Sequence, residues 1–301
     1  MTRHALQGVL PVIATPFAED WSIDRGELAA GIDFAFDQGA HGITVAMVSE
    51  IQRLATDERE ALNAAATAAA AGRGPVILSV GAESTPIAVR LARGAADAGA
   101  DAVMATPPLQ GSTSIDELRR YLAAILDASR LPTILQDASS YVGAPIPSDT
   151  QAELVREFGP ERLLLKPEAP PLGPTTSAIA EASGGTARIF DGSGGVALMD
   201  THRRGIVGTM PGPDLVWALR ALWDALESGD DARAHEISAP LTMLISMVTG
   251  LDGYVAFEKH MLVKQGVFSS TRMRGPVFYR IDAETGRLLD ELFDRLRAAV
   301  G

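Results

Sequence analysis

Short apolar runs alternate with amphipathic stretches along this chain, at intervals of roughly 30 residues. The runs are 8–15, 42–47, 75–80, 101–106, 132–137, 162–166, 187–192 and 205–210. They are rich in Val, Ile and Leu and are apolar at odd and even positions alike, as in parallel strands covered on both faces. Between them the apolar positions follow the helical repeat, which predicts helices at 24–38, 57–71, 84–98, 114–128, 148–158, 175–183 and 214–227. Several open on Ser or Thr, and Gly or Pro often lies just past the end. The stretch between Gly192 and Gly205 has room for two helical turns at 196–203.

Eight strand–helix units in a row predict an α/β protein, a (β/α)8 TIM barrel over residues 1–228. Residues 229–301 read as a C-terminal helical appendage packed on the barrel, with helices near 230–248, 254–266 and 283–299. The rival doubly wound sheet needs a glycine-rich phosphate loop after its first strand. Here that segment reads Thr-Pro-Phe-Ala-Glu-Asp-Trp-Ser from Thr15 to Ser22.

Active sites of such barrels lie at the C-terminal ends of the strands. Those ends carry Thr15, Val48-Ser49-Glu50, Gly81, Thr106, Gln136-Asp137, Lys166, Asp191-Gly192 and Thr209, a polar set on apolar strand bodies. Of the 26 basic residues only Lys166, Lys259 and Lys264 are lysines. This chain uses arginine wherever it merely needs positive charge, so a lysine directly after Leu163-Leu164-Leu165 calls for a chemical reason. Arginine does not lose its proton near neutral pH, whereas a lysine in a low-dielectric pocket can. The neutral amine attacks a ketone, and the protonated imine then acts as an electron sink. The plainer reading is a strand-end lysine that reaches solvent or pairs with Glu168.

The remaining composition excludes other classes. The chain has 301 residues, 47% of them hydrophobic, and a net charge of −12, which disfavours nucleic acid and anionic membranes as partners. The absence of cysteine excludes disulfides and thiolate chemistry. None of His4, His41, His202, His235 and His260 is spaced three or four from another or sits at a strand end, so no metal site and no cofactor are expected. No apolar run is long enough for a membrane span or signal peptide, and the expected location is the cytoplasm.

The order and spacing of these segments resemble the dihydrodipicolinate synthase / N-acetylneuraminate lyase superfamily across essentially the whole chain. The matching features are Thr15-Pro16-Phe17, Ser49-Glu50, Thr106-Pro107-Pro108, Lys166, Asp191-Gly192 and Gly205-Ile206-Val207-Gly208. The resemblance implies a class I aldolase or dehydratase with Lys166 as the imine lysine. It also implies a small 2-keto acid substrate and a homo-oligomer, tetramer or dimer. The departures are informative. Where the superfamily has Gly-Thr-Thr-Gly-Glu, this chain has Ala46-Met47-Val48-Ser49-Glu50, and Gln136 and Leu109 stand where tyrosines are usual. Instead, Ser49-Glu50, Gln136-Asp137-Ala138 and Phe190-Asp191-Gly192 resemble the L-2-keto-3-deoxyarabonate dehydratase branch. Within that branch Pro167 departs from the aliphatic residue usual after the lysine.

That branch implies dehydration of a 2-keto-3-deoxy sugar acid, with Lys166, Gln136 and Asp137 as the catalytic candidates. Thr15, Val48, Ser49, Glu50, Asp191, Gly192 and Thr209 are the substrate-binding candidates, Glu50 with a buttressing role as its alternative. Asp137 is equally readable as a loop cap and Asp191 as a turn former. Tyr141 reads either as a pocket residue or as an exposed loop aromatic. An aldolase on a related sugar acid and a non-catalytic keto-acid binder are the competing functions.

Overall fold

A computed structural model describes residues 4–111 and 113–301. Its strands are Gly8–Val9 (β1), Ile43–Val45 (β2), Val76–Ser79 (β3), Ala102–Ala105 (β4), Thr133–Gln136 (β5), Leu163–Lys166 (β6), Phe190–Asp191 (β7) and Gly208–Thr209 (β8). Their pairings are all parallel, in the orders β2-β3-β4-β5-β6 and β1-β8-β7. Bridges Val12↔Thr44 and Leu165↔Ile189 join the two groups into a closed (β/α)8 barrel. The predicted barrel is thus the observed fold. The first run is less regular than expected, with two ladder residues and then isolated bridging at Val12. Pro11 explains part of this, because proline has no N–H to donate to a ladder.

The helices between strands are Arg25–Asp37 (α1), Thr56–Ala70 (α2), Thr85–Asp97 (α3), Ile115–Ser129 (α4), Ser148–Phe158 (α5), Leu172–Ala182 (α6) and Leu198–His202 (α7). Val216–Ser228 (α8) completes the eight, and Asp231–Ile245 (α9), Gly250–Lys264 (α10) and Ala283–Val300 (α11) follow. Local chemistry sets several starts. Asp24 accepts hydrogen bonds from Gly26 N and Glu27 N at 2.9 Å each, Ser114 from Glu117 N at 3.3 Å, and Asp230 from Arg233 N at 3.0 Å. Each satisfies an otherwise orphaned first-turn donor.

The two-residue alternation of the strands separates two cores. Leu163 and Leu165 of β6 face outward into the layer shared with the helices, whereas Leu164 joins Leu10, Ile77, Met104, Ile134 and Phe190 inside the barrel. The same alternation turns Lys166 inward, beyond Leu164. The β5–β6 register pairs Ile134 with Leu164 and Gln136 with Lys166, so those two polar side chains end on one interior level.

The C-terminal helices do more than coat the barrel. α9 packs against α8 and α11, and α10 meets the 3-10 turn Met47–Ser49 that follows β2. The Lys259 ammonium of α10 donates to Glu50 and to the Arg272 carbonyl, the latter at 2.6 Å. Arg274 N donates to the other Glu50 oxygen at 3.0 Å, and Arg272 donates to the Phe17 carbonyl at 2.8 Å. The tail therefore ties together the chain segments after β1 and β2.

Candidate active site

The barrel mouth holds a cavity of about 420 Å³. Its floor is the ends of β5 and β6, and α10 forms one wall. Lys166 is buried here, 4% exposed, and its Nζ donates to Glu168 Oε1 at 2.7 Å. Gln136 Nε2 donates to the same carboxylate oxygen at 3.1 Å, and Ser140 Oγ donates to Oε2 at 3.5 Å. Burial raises the Glu168 pKa above the ordinary carboxylate value, and the neighbouring lysine opposes that shift. The amine thus has one carboxylate partner, itself held in place by an amide.

Gly192 stands beside this pair. A Cβ there would lie 2.9 Å from Glu168 Cγ and 3.1 Å from Lys166 Cε, so only glycine leaves the lysine chain its position. Val48 lines the cavity from the turn after β2. Four of the expected site residues, Lys166, Gln136, Val48 and Gly192, therefore line this one cavity.

The other candidates support the wall from behind. Thr15 Oγ1 donates to the Ser49 carbonyl at 2.6 Å, and Ser49 Oγ donates to the Ile13 carbonyl at 2.5 Å. These bonds brace the ends of β1 and β2 against each other. Glu50 is fully enclosed by Lys259, Arg53 and Arg274 N, which fits its alternative reading as a buttress. Asp137 accepts from Ser139 N and Ile146 N at 3.0 Å each, and so closes its own loop as a cap. Asp191 accepts from Ser193, from Thr201 at 2.9 Å and from Thr209 at 3.2 Å. It forms a turn, and Thr209 serves that turn. Neither Asp137, Asp191 nor Thr209 borders the cavity.

Four residues on the cavity wall lay outside the sequence expectation or on its plainer side. Tyr141 lines the cavity instead of standing exposed, and Tyr254 of α10 meets it edge-on with centroids 6.1 Å apart. Both phenols have raised pKa values, chiefly through burial. Phenols absent from the usual strand ends thus enter from a loop and from the C-terminal helices. Asp214 and Glu258 are the other two, 2% and 4% exposed. Asp214 reads in sequence as the acidic start of a helix, but α8 begins only at Val216. Glu258 sits on a helix beyond the barrel, where strand-end logic does not look.

The comparisons agree with this architecture. The family model described as "Dihydrodipicolinate synthetase family" matches residues 5–288. An L-2-keto-3-deoxyarabonate dehydratase from Azospirillum brasilense is 28% identical over 283 residues, covering 91% of this chain and 89% of that protein. A 4-hydroxy-tetrahydrodipicolinate synthase from Methanosphaerula palustris is 29% identical over 195 residues, 64% of this chain and 66% of that one. Among solved structures, a prophage protein of the dihydrodipicolinic acid synthase family from E. coli K12, in complex with pyruvate, superposes with a TM-score of 0.87. It shares 22% identity, and the match covers 97% of this chain and 99% of that one. A buried strand-six lysine in a closed parallel barrel, under a family match that runs from the first strand into the start of the last helix, leads to one conclusion: the chain belongs to the dihydrodipicolinate synthetase family of lyases.

Proposed function

We propose that this protein dehydrates a 2-keto-3-deoxy sugar acid of the L-2-keto-3-deoxyarabonate type through an imine on Lys166. The observation that carries the reading is the Lys166–Glu168 contact inside the barrel-mouth cavity, with Gln136 holding the carboxylate. The substrate keto group condenses with the Lys166 amine and releases water. Glu168, beside Nζ, takes the C3 proton, and the iminium accepts the electrons to give an enamine. The enamine then expels the C4 hydroxyl. Gln136 acts by positioning Glu168, and Val48 and Gly192 shape the wall around the substrate.

Dehydration is favoured over aldol cleavage by the cavity's stock of carboxyl groups. Loss of hydroxide needs an acid at C4, whereas retro-aldol cleavage needs a base on the C4 hydroxyl. The similarity to the Azospirillum brasilense dehydratase, which runs nearly end to end, points the same way. No helix among the described residues is long and apolar enough by itself to cross a membrane. We also propose a homo-oligomer, which light scattering on the purified protein tests.

Borohydride trapping decides the imine. Incubation with pyruvate or L-2-keto-3-deoxyarabonate and borohydride is expected to give an intact-mass adduct that maps to Lys166 and is absent from Lys166→Arg. No adduct with either keto acid would sink the reading. Formation of 2-oxoglutarate semialdehyde supports dehydration, and release of pyruvate with an aldehyde selects the aldolase.

A further inference from the structure

We infer that Asp214 and Glu258 form a proton-sharing carboxyl pair that hands its proton to the departing C4 hydroxyl and then recovers one from C5. This rests on the dehydratase reading above and supplies the acid that reading lacks. The two residues come from distant places, the segment after β8 and the middle of α10. They nevertheless converge on one point of the cavity wall. A Cβ on Gly212 would lie 2.5 Å from Asp214 Oδ1 and 2.6 Å from Glu258 Oε1. Gln265, just past α10, donates to the Asp214 carbonyl at 2.8 Å and fixes that backbone.

What marks the pair is that it is unsatisfied. Asp214 Oδ2 and Glu258 Oε2 are buried without a hydrogen-bond partner, although both residues border the same cavity as Lys166. Every other carboxylate discussed has donors: Glu168 has Lys166 and Gln136, Glu50 has Lys259 and Arg53, and Asp191 has a ring of hydroxyls. Buried polar groups without partners are rare and mark a ligand's place or a proton's. Two carboxyl groups this close, in low dielectric, do not both ionise. One proton held between them satisfies the pair and leaves oxygens free for a substrate hydroxyl. Burial raises Asp214 to about 7 and Glu258 well above its usual range. The charged and titratable groups that act on Glu258 or are acted on by it are Lys166, Lys259, Glu50, Tyr254 and Tyr141, and Glu168 lines the same cavity.

The proton ledger closes with this assignment. After Glu168 has taken the C3 proton, the enamine nitrogen lone pair re-forms the iminium, the C2–C3 electrons become a C3–C4 double bond, and the C4–O bond breaks. The leaving oxygen takes the pair's proton and departs as water. The pair is now a dianion and removes a C5 proton, giving a dienamine with an enol at C5. Glu168 returns its proton to C3, which restores the iminium. Water then hydrolyses the imine, and the C4–C5 enol becomes the aldehyde by moving its hydroxyl proton to C4. Lys166, Glu168 and the carboxyl pair all end as they began, and the net change is loss of one water.

Asp214→Asn and Glu258→Gln in the full-length protein test this, assayed with L-2-keto-3-deoxyarabonate and separately trapped with pyruvate and borohydride. We expect each variant to form the Lys166 adduct at wild-type yield and to lose about 10²–10⁴-fold in turnover. The wild-type rate should fall on the alkaline side, where the last shared proton is lost, and in Asp214→Asn this limb should move to lower pH because Glu258 no longer faces the like charge that raises it. A merely structural role would lower the rate equally at every pH. Turnover within about threefold of wild type, with the adduct intact, overturns the inference. An alkaline limb that stays in place in Asp214→Asn overturns it as well. Absence of the adduct in the wild type removes the imine reading itself, and this inference with it.

Discussion

Lys166 and Lys259 are both buried, yet they lead different lives. Lys166 faces a cavity and has a single side-chain partner at 2.7 Å beyond which there is space. Lys259 is closed off by Glu50, the Arg272 carbonyl and the Phe17 ring, whose centroid lies 4.7 Å from Nζ. Scarcity of lysine in the sequence flagged both, and strand position selected the one that faces the cavity. Around Lys166 the tolerances are small. Gly192→Ala would push against Glu168 Cγ and Lys166 Cε. We expect kcat/KM to fall about 10²-fold with little change in Tm, because misplacement near the reacting atoms costs rate more than stability. Steady-state kinetics beside a thermal melt checks this. Asp214 makes the opposite trade. Its folded pKa, raised from 3.8 to about 7, means that its contribution to stability is full below about pH 4 and is lost as pH rises through about 7. Asp214→Asn should therefore raise Tm by about 5 °C at about pH 8, with the gain gone by about pH 4. Melts across that range give the answer, and a gain independent of pH would refute it.

At the scale of elements, the turn between β2 and α2 is where strain and support meet. Glu50 takes a left-handed backbone, φ 57°, between two 3-10 turns, at a cost of roughly 1 kcal/mol for a residue with a Cβ. Its side chain is what holds that geometry, through Lys259 of α10 and Arg53. Lys259→Met would leave a buried carboxylate without its main counter-charge. We expect a loss of about 3–5 kcal/mol in urea unfolding, and partial recovery in the Glu50→Gln/Lys259→Met double variant. Because Val48 lies two residues before Glu50 on the cavity wall, the single variant should also weaken substrate binding.

For the whole molecule, the tail helices are part of the site. α10 supplies Tyr254, Phe257 and Glu258 to the cavity, and α9 seals α8 through an apolar face that includes Leu241 and Leu244. A chain ending at residue 228 would expose the buried faces of α8, where Leu219, Leu222 and Trp223 now pack. We expect it to aggregate or to melt without cooperativity by circular dichroism. A cooperative melt together with a Lys166 borohydride adduct would show that the barrel stands alone.

The sequence by itself determined the barrel, because eight apolar runs spaced by amphipathic helices are a local, periodic signal. It determined the place of Lys166 too, because alternation along Leu163–Lys166 dictates which way the side chain points. The roles of the other polar strand ends were not legible. Thr15, Ser49, Asp137, Asp191 and Thr209 share the composition of a site, but their hydrogen-bond partners, among them Ile13, Ser139 and Thr201, turn them to structural work. Tyr254, Asp214 and Glu258 were invisible for the converse reason. Nothing periodic relates residue 166 to residue 258. Their meeting is created only when α10 folds back over the barrel mouth, and long-range packing of that kind leaves no mark in local pattern.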